Sequence, residues 1–551
     1  MHRLGVRLHL LSLAAGHDGA PLLVHSKHEG VSARLRHGEI AHEHPLDVAH
    51  EIDGIVVHDG APARCRGGLF DLSWSRGSRW LALHAVSLAR ILLAEAKLFL
   101  MTEGASTALL TDMYELTMLD AALESGRAER KSVFEAFARR LPGGRRYGVV
   151  AGTGRVLEAI ESFHFGTEEI DYLASAQIVS DTTLEWLANY HFTGDIYGYA
   201  EGECYFPHSP IMTVTGTFAD TCMLETVILS ILNHDSAVAT AASRMTAAAR
   251  ERPCLEFGAR RTHESAAIHA ARAAVICGFV GTSDVEAGRT YGLKIAGTSA
   301  HSFTLLHDSE EEAFAAQIDT MGTGTTLLVD TYDIPTGVER AVAAARAAGG
   351  ELGAVRIDSG DLIAQAFTVR KQLDDLGATT TKITVTSDLD EFSIAALGAA
   401  PVDSYGVGTK LVTGSGYPTA EMVYKLVARE GDDGQMHEVA KISSNKKSVG
   451  GLKVAGRVRD QRGHSAQELI VSAQNWEDGL AYLERSGARP LQHKLVSGGE
   501  VNQEFVGKDA IAAAAQRHND SRAELPYDGW RLSRGEPAVP TKMVDIFAGD
   551  D

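Results

Sequence analysis

The sequence has few cysteines, no long apolar run and fewer basic than acidic residues. Its five cysteines, scattered from Cys65 to Cys277 without a CxxC pair, indicate reduced thiols in a cytoplasm and offer no zinc-binding pattern. No stretch of about 18 uninterrupted apolar residues occurs, so we expect no transmembrane span. Lysine and arginine number 52 against 72 aspartates and glutamates, and the net charge of −20 argues against nucleic acid or an anionic membrane as the main partner.

The first hundred residues differ in composition from the rest of the 551-residue chain. Residues 1–100 contain 11 of the 23 histidines, no internal methionine and no regular alternation of strands and helices. Met101 is followed by a pattern typical of a protein start, with a helix capped by Thr111 or Asp112. We therefore expect residues 1–100 to be a poorly ordered, non-native extension. The alternative is a histidine-rich metal-binding arm, although its histidines mostly lack the spacing of metal ligands.

Five apolar runs in the second half of the chain each end in a cluster of polar residues. The clusters are Thr298 to His301, Asp330 to Asp333, Arg356 to Asp361, Ser387 to Asp390 and Gly406 to Thr409. Helix-like stretches lie between them, and such strand–helix repeats predict a barrel or an open parallel sheet. Because function in these folds lies at the carboxyl ends of the strands, the five clusters are the predicted active site.

The segments that flank this series predict a second, β-rich domain. Residues 194–217 alternate and contain glycine and proline breaks, as short antiparallel strands do. Residues 223–251 predict a long helix with a turn or kink near Asn233–Ser236. The predicted α/β fold is an irregular, TIM-like barrel over 226–414, with a smaller sandwich-like domain formed by 101–225 and completed by about 415–551.

Nine strings of the sequence, taken in order, match the motifs of a known family. They are LLTDMYELTM, EGECYFPHSPIMTVTG, LEFGARR, GFVGTSDVEAG, GTSAHSF, LLVDTYD, VRIDSGDL, TSDLDE and GVGTKLVTG. Each string is weak alone, but together they resemble nicotinate phosphoribosyltransferase. The resemblance implies synthesis of nicotinate mononucleotide and pyrophosphate from nicotinate and phosphoribosyl pyrophosphate, in cytoplasmic NAD salvage. It also implies coupling to ATP hydrolysis through a phosphohistidine, an α/β barrel fold, and a homodimer with shared active sites.

The resemblance assigns chemical roles to three residues. His301 matches the phosphorylated histidine, and its imidazole becomes a competent nucleophile if Asp330 or Asp333 holds the other ring nitrogen. Arg356 matches the arginine that binds nicotinate. Asp358 meets the ribose, where a carboxylate stabilises positive charge that develops at C1. The alternatives are a structural histidine, a surface salt bridge and a helix N-cap, respectively.

A second set of residues resembles the pocket for the pyridine ring. Phe257 and Tyr114 offer aromatic faces, and in related enzymes this tyrosine comes from the other subunit. Arg260 can bind a carboxylate or pyrophosphate through two parallel hydrogen bonds. Thr298 contacts nicotinate, and Ser283 stands where nicotinamide enzymes carry an acidic residue, which favours nicotinate as the substrate. Phe257 as an ordinary core residue is the main alternative.

A third set resembles the site for the sugar and its phosphates. Gly408 and Thr409 suggest a cradle for the 5′-phosphate, because glycine lets the backbone approach and a helix start offers N–H groups. Ser387 and Asp388 are candidates for the ribose hydroxyls, with a strand-end cap as the alternative for Asp388. Magnesium is implied by ATP and the pyrophosphate donor, and Asp330 is the candidate protein ligand.

Two other functions fit parts of the same pattern. Quinolinate phosphoribosyltransferase is a related barrel, but it needs a strongly cationic pocket for two carboxylates and has no phosphohistidine. A catalytically inactive nucleotide-binding regulator is the other alternative, against which the intact His301, Arg356 and Asp358 argue. Without the family resemblance, the pattern predicts only a barrel enzyme that acts on a phosphosugar.

Overall fold

The computed structural model describes residues 64–65, 68–69, 106–440 and 449–547. Contacts between Cα atoms divide the chain into two units, Met1–Leu100 and Met101–Asp551. In the first unit the described residues form one antiparallel pair of two-residue strands. The prediction of a poorly ordered extension concerns residues that otherwise lie outside the described ranges.

The described strands are short in the middle of the chain and longer towards its end. In chain order they are β1 (Arg64–Cys65), β2 (Gly68–Leu69), β3 (Lys131–Ala138), β4 (Gly148–Val149), β5 (Asp195–Tyr199), β6 (Cys204–Tyr205), β7 (Met212–Thr217), β8 (Cys254–Glu256), β9 (Thr326–Leu328), β10 (Ala354–Ile357), β11 (Lys382–Val385), β12 (Ser404–Val407), β13 (Met422–Glu430), β14 (Met436–Glu438), β15 (Leu452–Arg459), β16 (Ser465–Ala473), β17 (Arg489–Pro490), β18 (Gln492–Ser497), β19 (Glu500–Val501) and β20 (Thr541–Asp545).

The α-helices alternate with the strands of the central region. They are α1 (Met113–Glu124), α2 (Thr153–Glu161), α3 (Thr167–Ala176), α4 (Asp181–Ala188), α5 (Phe218–Cys222), α6 (Glu225–Ala249), α7 (Glu264–Ile276), α8 (Val285–Tyr291), α9 (His301–Leu306), α10 (Glu310–Met321), α11 (Ile334–Ala347), α12 (Leu362–Asp375), α13 (Glu391–Leu397), α14 (Thr409–Val412), α15 (Trp476–Arg485) and α16 (Gly507–Ala523). Within the described ranges, no helix combines the length and the apolar character that crossing a bilayer requires.

The central sheet has five parallel strands in the order β8-β12-β11-β10-β9. Apolar residues of these strands, such as Val355, Ile383 and Val407, are fully buried, as expected for a sheet covered by helices. Beyond β8 the sheet continues through single parallel bridges from Glu256 to Thr282 and from Thr282 to Ile295. Among the described strands, β9 pairs with β10 alone, so the hydrogen-bonded ladder is open at that edge. The chain thus has a mixed α/β fold with a parallel sheet at its centre.

Two larger sheets lie outside the five-stranded ladder. The seven-stranded sheet is antiparallel and takes strands from both sides of the central region, whereas the strands of the four-stranded sheet all follow that region and include the parallel pair β16 and β20. One has the order β14-β13-β3-β7-β5-β18-β19, and the other has the order β17-β15-β16-β20. The pairing of β3 with β13 joins segments about 290 residues apart, from Ala138 opposite Met422 to Ser132 opposite Arg429. In β3 seven consecutive residues are buried, which indicates that both faces of this strand are covered.

Helix α6 runs without interruption, so the predicted kink near Asn233–Ser236 is wrong. The polar side chains that suggested a break form hydrogen bonds to other segments instead. Ser236 Oγ donates to the carbonyl of Ala151 at 3.1 Å, and Asn233 Nδ2 donates to the carbonyl of Met422 at 3.2 Å. Side chains satisfied in this way do not compete with the helical backbone hydrogen bonds.

Candidate active site

The carboxyl ends of the parallel strands meet at one edge of the central sheet, and carboxylates link three of them. Asp330 follows β9, and its Oδ2 accepts from the backbone N–H of Asp358, which follows β10, at 2.9 Å. The same oxygen accepts from Ser359 Oγ at 2.7 Å. Asp358 Oδ1 in turn accepts from the hydroxyl of Thr386, which follows β11. Asp358 therefore orients towards a neighbouring strand and does not cap a helix.

Arg356 lies in β10 and reaches across the edge of the sheet. Its Nη1 donates to Thr298 Oγ1 at 2.7 Å. Burial is the largest influence on the pKa of Arg356 and lowers it; Asp358 and Asp330 raise it, and Arg260 lowers it. Its buried Nε has no hydrogen-bond partner among the described residues. Two guanidinium groups and an unused N–H donor thus make a site suited to an anion.

His301 is the first residue of α9 and faces the end of β9. Its Nδ1 lies 3.1 Å from Thr331 Oγ1, and its Nε2 lies 3.8 Å from Asp330 Oδ1. The histidine side chain is 40% exposed, whereas that of Asp330 is 1% exposed. Asp333 caps α11 by accepting from the N–H of Thr336 at 3.0 Å. Of the two carboxylates suggested by the sequence, Asp330 thus lies near Nε2 but beyond hydrogen-bond distance, and Asp333 is engaged in capping α11. The group within hydrogen-bond distance of Nδ1 is the hydroxyl of Thr331.

Phe257 packs between the ends of β8 and β12, where glycines leave room for its ring. Its N–H donates to the carbonyl of Val407 at 2.8 Å. A Cβ built on Gly406 would lie 2.6 Å from Phe257 Cδ2 and 2.5 Å from Thr386 Cγ2, so no larger side chain fits without movement. A Cβ on Gly408 would lie 3.2 Å from the Phe257 carbonyl oxygen. The ring of Phe257 thus packs against Gly406, and its backbone lies beside Gly408 of the predicted phosphate cradle.

Four other predicted residues lie on the same edge of the sheet. Ser387 and Asp388 are exposed after β11, and Ser387 has φ +120°, a conformation that only glycine adopts readily. Thr409 begins the four-residue helix α14 directly after Gly408. The backbone N–H of Ser283 donates to the carbonyl of Glu256 at 2.9 Å, which brings it beside the end of β8.

Tyr114 is the predicted site residue that the structure sets apart from the others. It lies on α1 and is 41% exposed. Burial, followed by the nearby carboxylate of Glu225, raises the pKa of its phenol. The described groups that act on Tyr114 all belong to α1, its cap and the start of α6, and none is at the strand ends.

The sequence analysis assigned no individual role to five polar residues that hold this edge together. They are Glu256, Thr282, Thr331, Ser359 and Thr386. Each lies within or beside a motif string, so the strings contained the signal. The strings did not reveal which side chains turn towards the neighbouring strand, because that depends on the pairing of distant segments.

The described residues contain no cluster of three or more His, Cys, Asp or Glu arranged to hold a metal ion. One potential metal ligand is available, since Asp330 Oδ1 is buried and has no hydrogen-bond partner in the described part of the chain. A single carboxylate oxygen suits a hard cation that is otherwise held by substrate oxygens.

Comparison with known proteins places these residues in a family. A model of the nicotinate phosphoribosyltransferase N-terminal domain matches residues 109–233, and one of the nicotinate phosphoribosyltransferase family matches residues 253–461. Nicotinate phosphoribosyltransferase pncB1 of Mycobacterium tuberculosis is 52% identical over 444 residues, 79% of this chain and 95% of that protein. The Bacillus subtilis nicotinate phosphoribosyltransferase is 38% identical over 370 residues, 66% of this chain and 75% of that protein. The crystal structure of human nicotinic acid phosphoribosyltransferase has a similar fold, with a TM-score of 0.66 and 22% identity over 79% of this chain and 97% of that one.

Proposed function

Because the chain belongs to the nicotinate phosphoribosyltransferase family, we propose that it joins nicotinate to C1 of phosphoribosyl pyrophosphate. The products are nicotinate mononucleotide and pyrophosphate. The observation that carries the proposal is the contact between Arg356 Nη1 and Thr298 Oγ1. It gathers a guanidinium group, a hydroxyl and the linked carboxylates of Asp330 and Asp358 at one edge of the sheet, as binding of an anionic ring and a phosphosugar requires.

The proposed reaction uses the strand ends in separate roles. Arg356 and Thr298 hold the carboxylate of nicotinate, while the ring of Phe257 covers one face of the pyridine. The pyridine nitrogen forms a bond to C1, the bond from C1 to oxygen breaks, and its electron pair leaves with pyrophosphate. Asp358, oriented by the Thr386 hydroxyl, stabilises the positive charge that develops on the sugar.

The 5′-phosphate is proposed to lie in the glycine cradle at the end of β12. Gly408 and Thr409 offer backbone N–H groups there, and the ribose hydroxyls face Ser387 and Asp388. Arg260 and Ser283 complete the nicotinate side of the site. A neutral Ser283 hydroxyl tolerates the negative charge of nicotinate, whereas a carboxylate in that position would repel it.

We propose that ATP drives the reaction through His301. When Nδ1–H donates to Thr331 Oγ1, the lone pair on Nε2 is free to attack the γ-phosphorus of ATP, and ADP leaves. The exposure of the imidazole allows a nucleotide to approach it. Phosphorylation would favour a closed state that binds the pyrophosphate donor. Transfer of the phosphoryl group from His301 to water, with release of inorganic phosphate, would favour product release.

Magnesium is proposed to accompany ATP and the pyrophosphate donor. Asp330 fits as a protein ligand, because one of its carboxylate oxygens has no partner among the described residues. The ion would neutralise charge on the leaving phosphates, with most of its ligands coming from substrate and water.

We also infer that residues 226–414 form an irregular, TIM-like barrel, with 101–225, completed by about 415–551, as the second domain. Two contacts support closure across the open edge of the ladder. The segment after Ile295 approaches β10 through Thr298 and the end of β9 through His301. β9 is the edge strand of the ladder on the side opposite Ile295, and β10 is next to it.

The enzyme is proposed to be a cytoplasmic homodimer whose subunits share active sites. Exposed apolar residues occur on and beside α1, where Leu110 and Met113 are 61% and 60% exposed, and also near His301, where Leu306 is 78% exposed. Apolar surfaces of this kind are typical of interfaces. Light scattering measures the mass of the protein in solution and should give that of a dimer. Mixing inactive Tyr114→Ala and Arg356→Ala proteins should then restore about a quarter of the activity, because half of the exchanged dimers contain one intact site.

Radiolabelled nicotinate tests the proposed function directly. The purified protein is incubated with phosphoribosyl pyrophosphate and magnesium, with and without ATP, and nicotinate mononucleotide is separated and counted. We expect product in both reactions and faster turnover with ATP. A parallel reaction contains quinolinate in place of nicotinate. Product with quinolinate but not with nicotinate would overturn the proposal in favour of quinolinate phosphoribosyltransferase. Ligand binding without any turnover would indicate an inactive regulator.

A further inference from the structure

The carboxylate of Glu256 is buried beside the proposed nicotinate pocket, and no cationic side chain of the described residues pairs with it. This residue ends β8, immediately before Phe257, and is 1% exposed. Burial and Asp284 raise the pKa of Glu256, and two hydrogen bonds lower it, with no cation among these groups. A buried carboxylate without a cation is costly to the folded protein, so its presence calls for a role that an apolar side chain would not fill.

The two oxygens of this carboxylate hold two different segments. Oε1 accepts from the N–H of Gly258, in the loop that carries Phe257. Oε2 accepts from the hydroxyl of Thr282, and the same hydroxyl accepts from the N–H of Asp284 at 2.9 Å. The loop after β8 and the segment around Ser283 are therefore joined through one side chain.

The same loop is wedged against the proposed phosphate cradle. A Cβ built on Gly258 would lie 2.2 Å from Val412 Cγ1 and 3.3 Å from the carbonyl oxygen of Gly408. The Phe257 N–H donates to the carbonyl of Val407 at 2.8 Å. Because this packing leaves so little space, a displacement of Gly258 would be passed on to the ring of Phe257 and to the cradle.

We propose that Glu256 is a positioning residue for nicotinate, which holds the loop from Phe257 to Arg261 in register with Ser283 and Gly408. The proposal rests on the proposed function. Glu256 is not proposed to touch the substrate; it acts through the backbone of Gly258 and the hydroxyl of Thr282. Its removal should therefore weaken nicotinate binding more than it slows the chemical step.

Four variants test this role. Glu256→Ala leaves the Gly258 N–H and the Thr282 hydroxyl without this partner and should raise the KM for nicotinate by about tenfold or more, with a smaller change in kcat. Glu256→Gln keeps the shape and one acceptor oxygen, and should stay within about threefold of the wild type. Thr282→Val removes one of the two bonds and should give an intermediate KM. Thr381→Val is the matched control, because Thr381 is equally buried and donates to the carbonyl of Leu352 at 2.9 Å at the opposite end of β11.

Steady-state kinetics with nicotinate and with phosphoribosyl pyrophosphate are measured together with thermal unfolding. An unchanged nicotinate KM in Glu256→Ala, or an equal rise in Thr381→Val, would overturn the positioning role. If Glu256→Ala does not fold, the KM for nicotinate is compared between Thr282→Val and Thr381→Val. A rise in Thr282→Val alone supports the positioning role, and equal values overturn it. Absence of product from the wild type would overturn the proposed function, and this proposal with it. Product from the wild type with an unaffected KM in the variants would overturn the positioning role alone.

Discussion

Replacing Gly406 with alanine tests whether the packing at the end of β12 sets the geometry of the site. The new Cβ would lie 2.6 Å from Phe257 Cδ2 and 2.5 Å from Thr386 Cγ2. Ordinary contacts between carbon atoms are about 3.5 Å or longer, so both neighbours would have to retreat by about 1 Å. Gly406 is not among the glycines with positive φ, so its backbone accepts alanine and the effect is purely steric.

The expected loss follows from these displacements. Overpacking a close-packed position costs about 1–3 kcal/mol of stability, which a domain of this size should survive. A misplacement of about 1 Å in a binding site costs roughly 100-fold in rate. Because Thr386 donates to Asp358 and Phe257 is proposed to cover the pyridine, kcat/KM for nicotinate should fall by about that factor in Gly406→Ala.

Two further variants make the experiment decisive. Gly324→Ala is the control, since a Cβ there has no atom within 4 Å and Gly324 is also not among the positive-φ glycines. Thr386→Ser in the Gly406→Ala background removes the crowded methyl group and keeps the hydroxyl, so part of the activity should return. Activity of Gly406→Ala equal to that of Gly324→Ala, in folded protein, would refute the reasoning.

Three other predictions address separate residues. His301→Ala should retain slow transfer without ATP and lose the coupling, and ATP hydrolysis that stays in step with product would exclude His301 as the phosphate acceptor. Arg356→Lys should raise the nicotinate KM by about tenfold or more, because lysine lacks the planar set of donors, and an unchanged KM would contradict the assignment of Arg356. Burial raises the pKa of Glu115 from 4.5 to about 7, which disfavours its ionised form in the folded protein. Below pH 4.5 Glu115 is protonated in both the folded and the unfolded protein, and its contribution to the free energy of unfolding is fully present. That contribution is lost as the pH rises through about 7, which lowers the free energy of unfolding by at most about 3 kcal/mol. Glu115→Gln should therefore flatten the dependence of Tm on pH between about 5 and 8, and identical curves would contradict this.

The sequence predicted the parallel sheet, and the meeting of its polar strand ends at one edge, because these depend on local patterns. Each strand is an apolar run that ends in polar residues, and parallel strands present those ends at one edge. The long helix before β8 was also predicted, but its polar residues suggested a kink that does not exist. Asn233 and Ser236 use their side chains in contacts with Met422 and Ala151, and no local pattern contains such partners.

The same limit explains which site residues were missed. Thr331 and Thr386 follow strands, as many threonines do, and only the pairing of strands shows that they face His301 and Asp358. The sequence analysis suggested a carboxylate, from Asp330 or Asp333, beside one imidazole nitrogen of His301, since carboxylates are the common partners of catalytic histidines. The structure instead has a hydroxyl on Nδ1 and Asp330 near Nε2.

Arg356, Asp330 and Asp358 lie at the same edge of the sheet but form no salt bridge with one another. Arg356 donates to the neutral hydroxyl of Thr298, and its buried Nε remains free among the described residues. Asp330 and Asp358 likewise accept from N–H and hydroxyl groups of the protein and not from the guanidinium. If these groups were paired in a salt bridge, a substrate would have to break it before binding. Under the proposed function, Arg356 is therefore available for the carboxylate of nicotinate and Asp358 for the positive charge at C1, and no salt bridge between them has to break when a substrate binds.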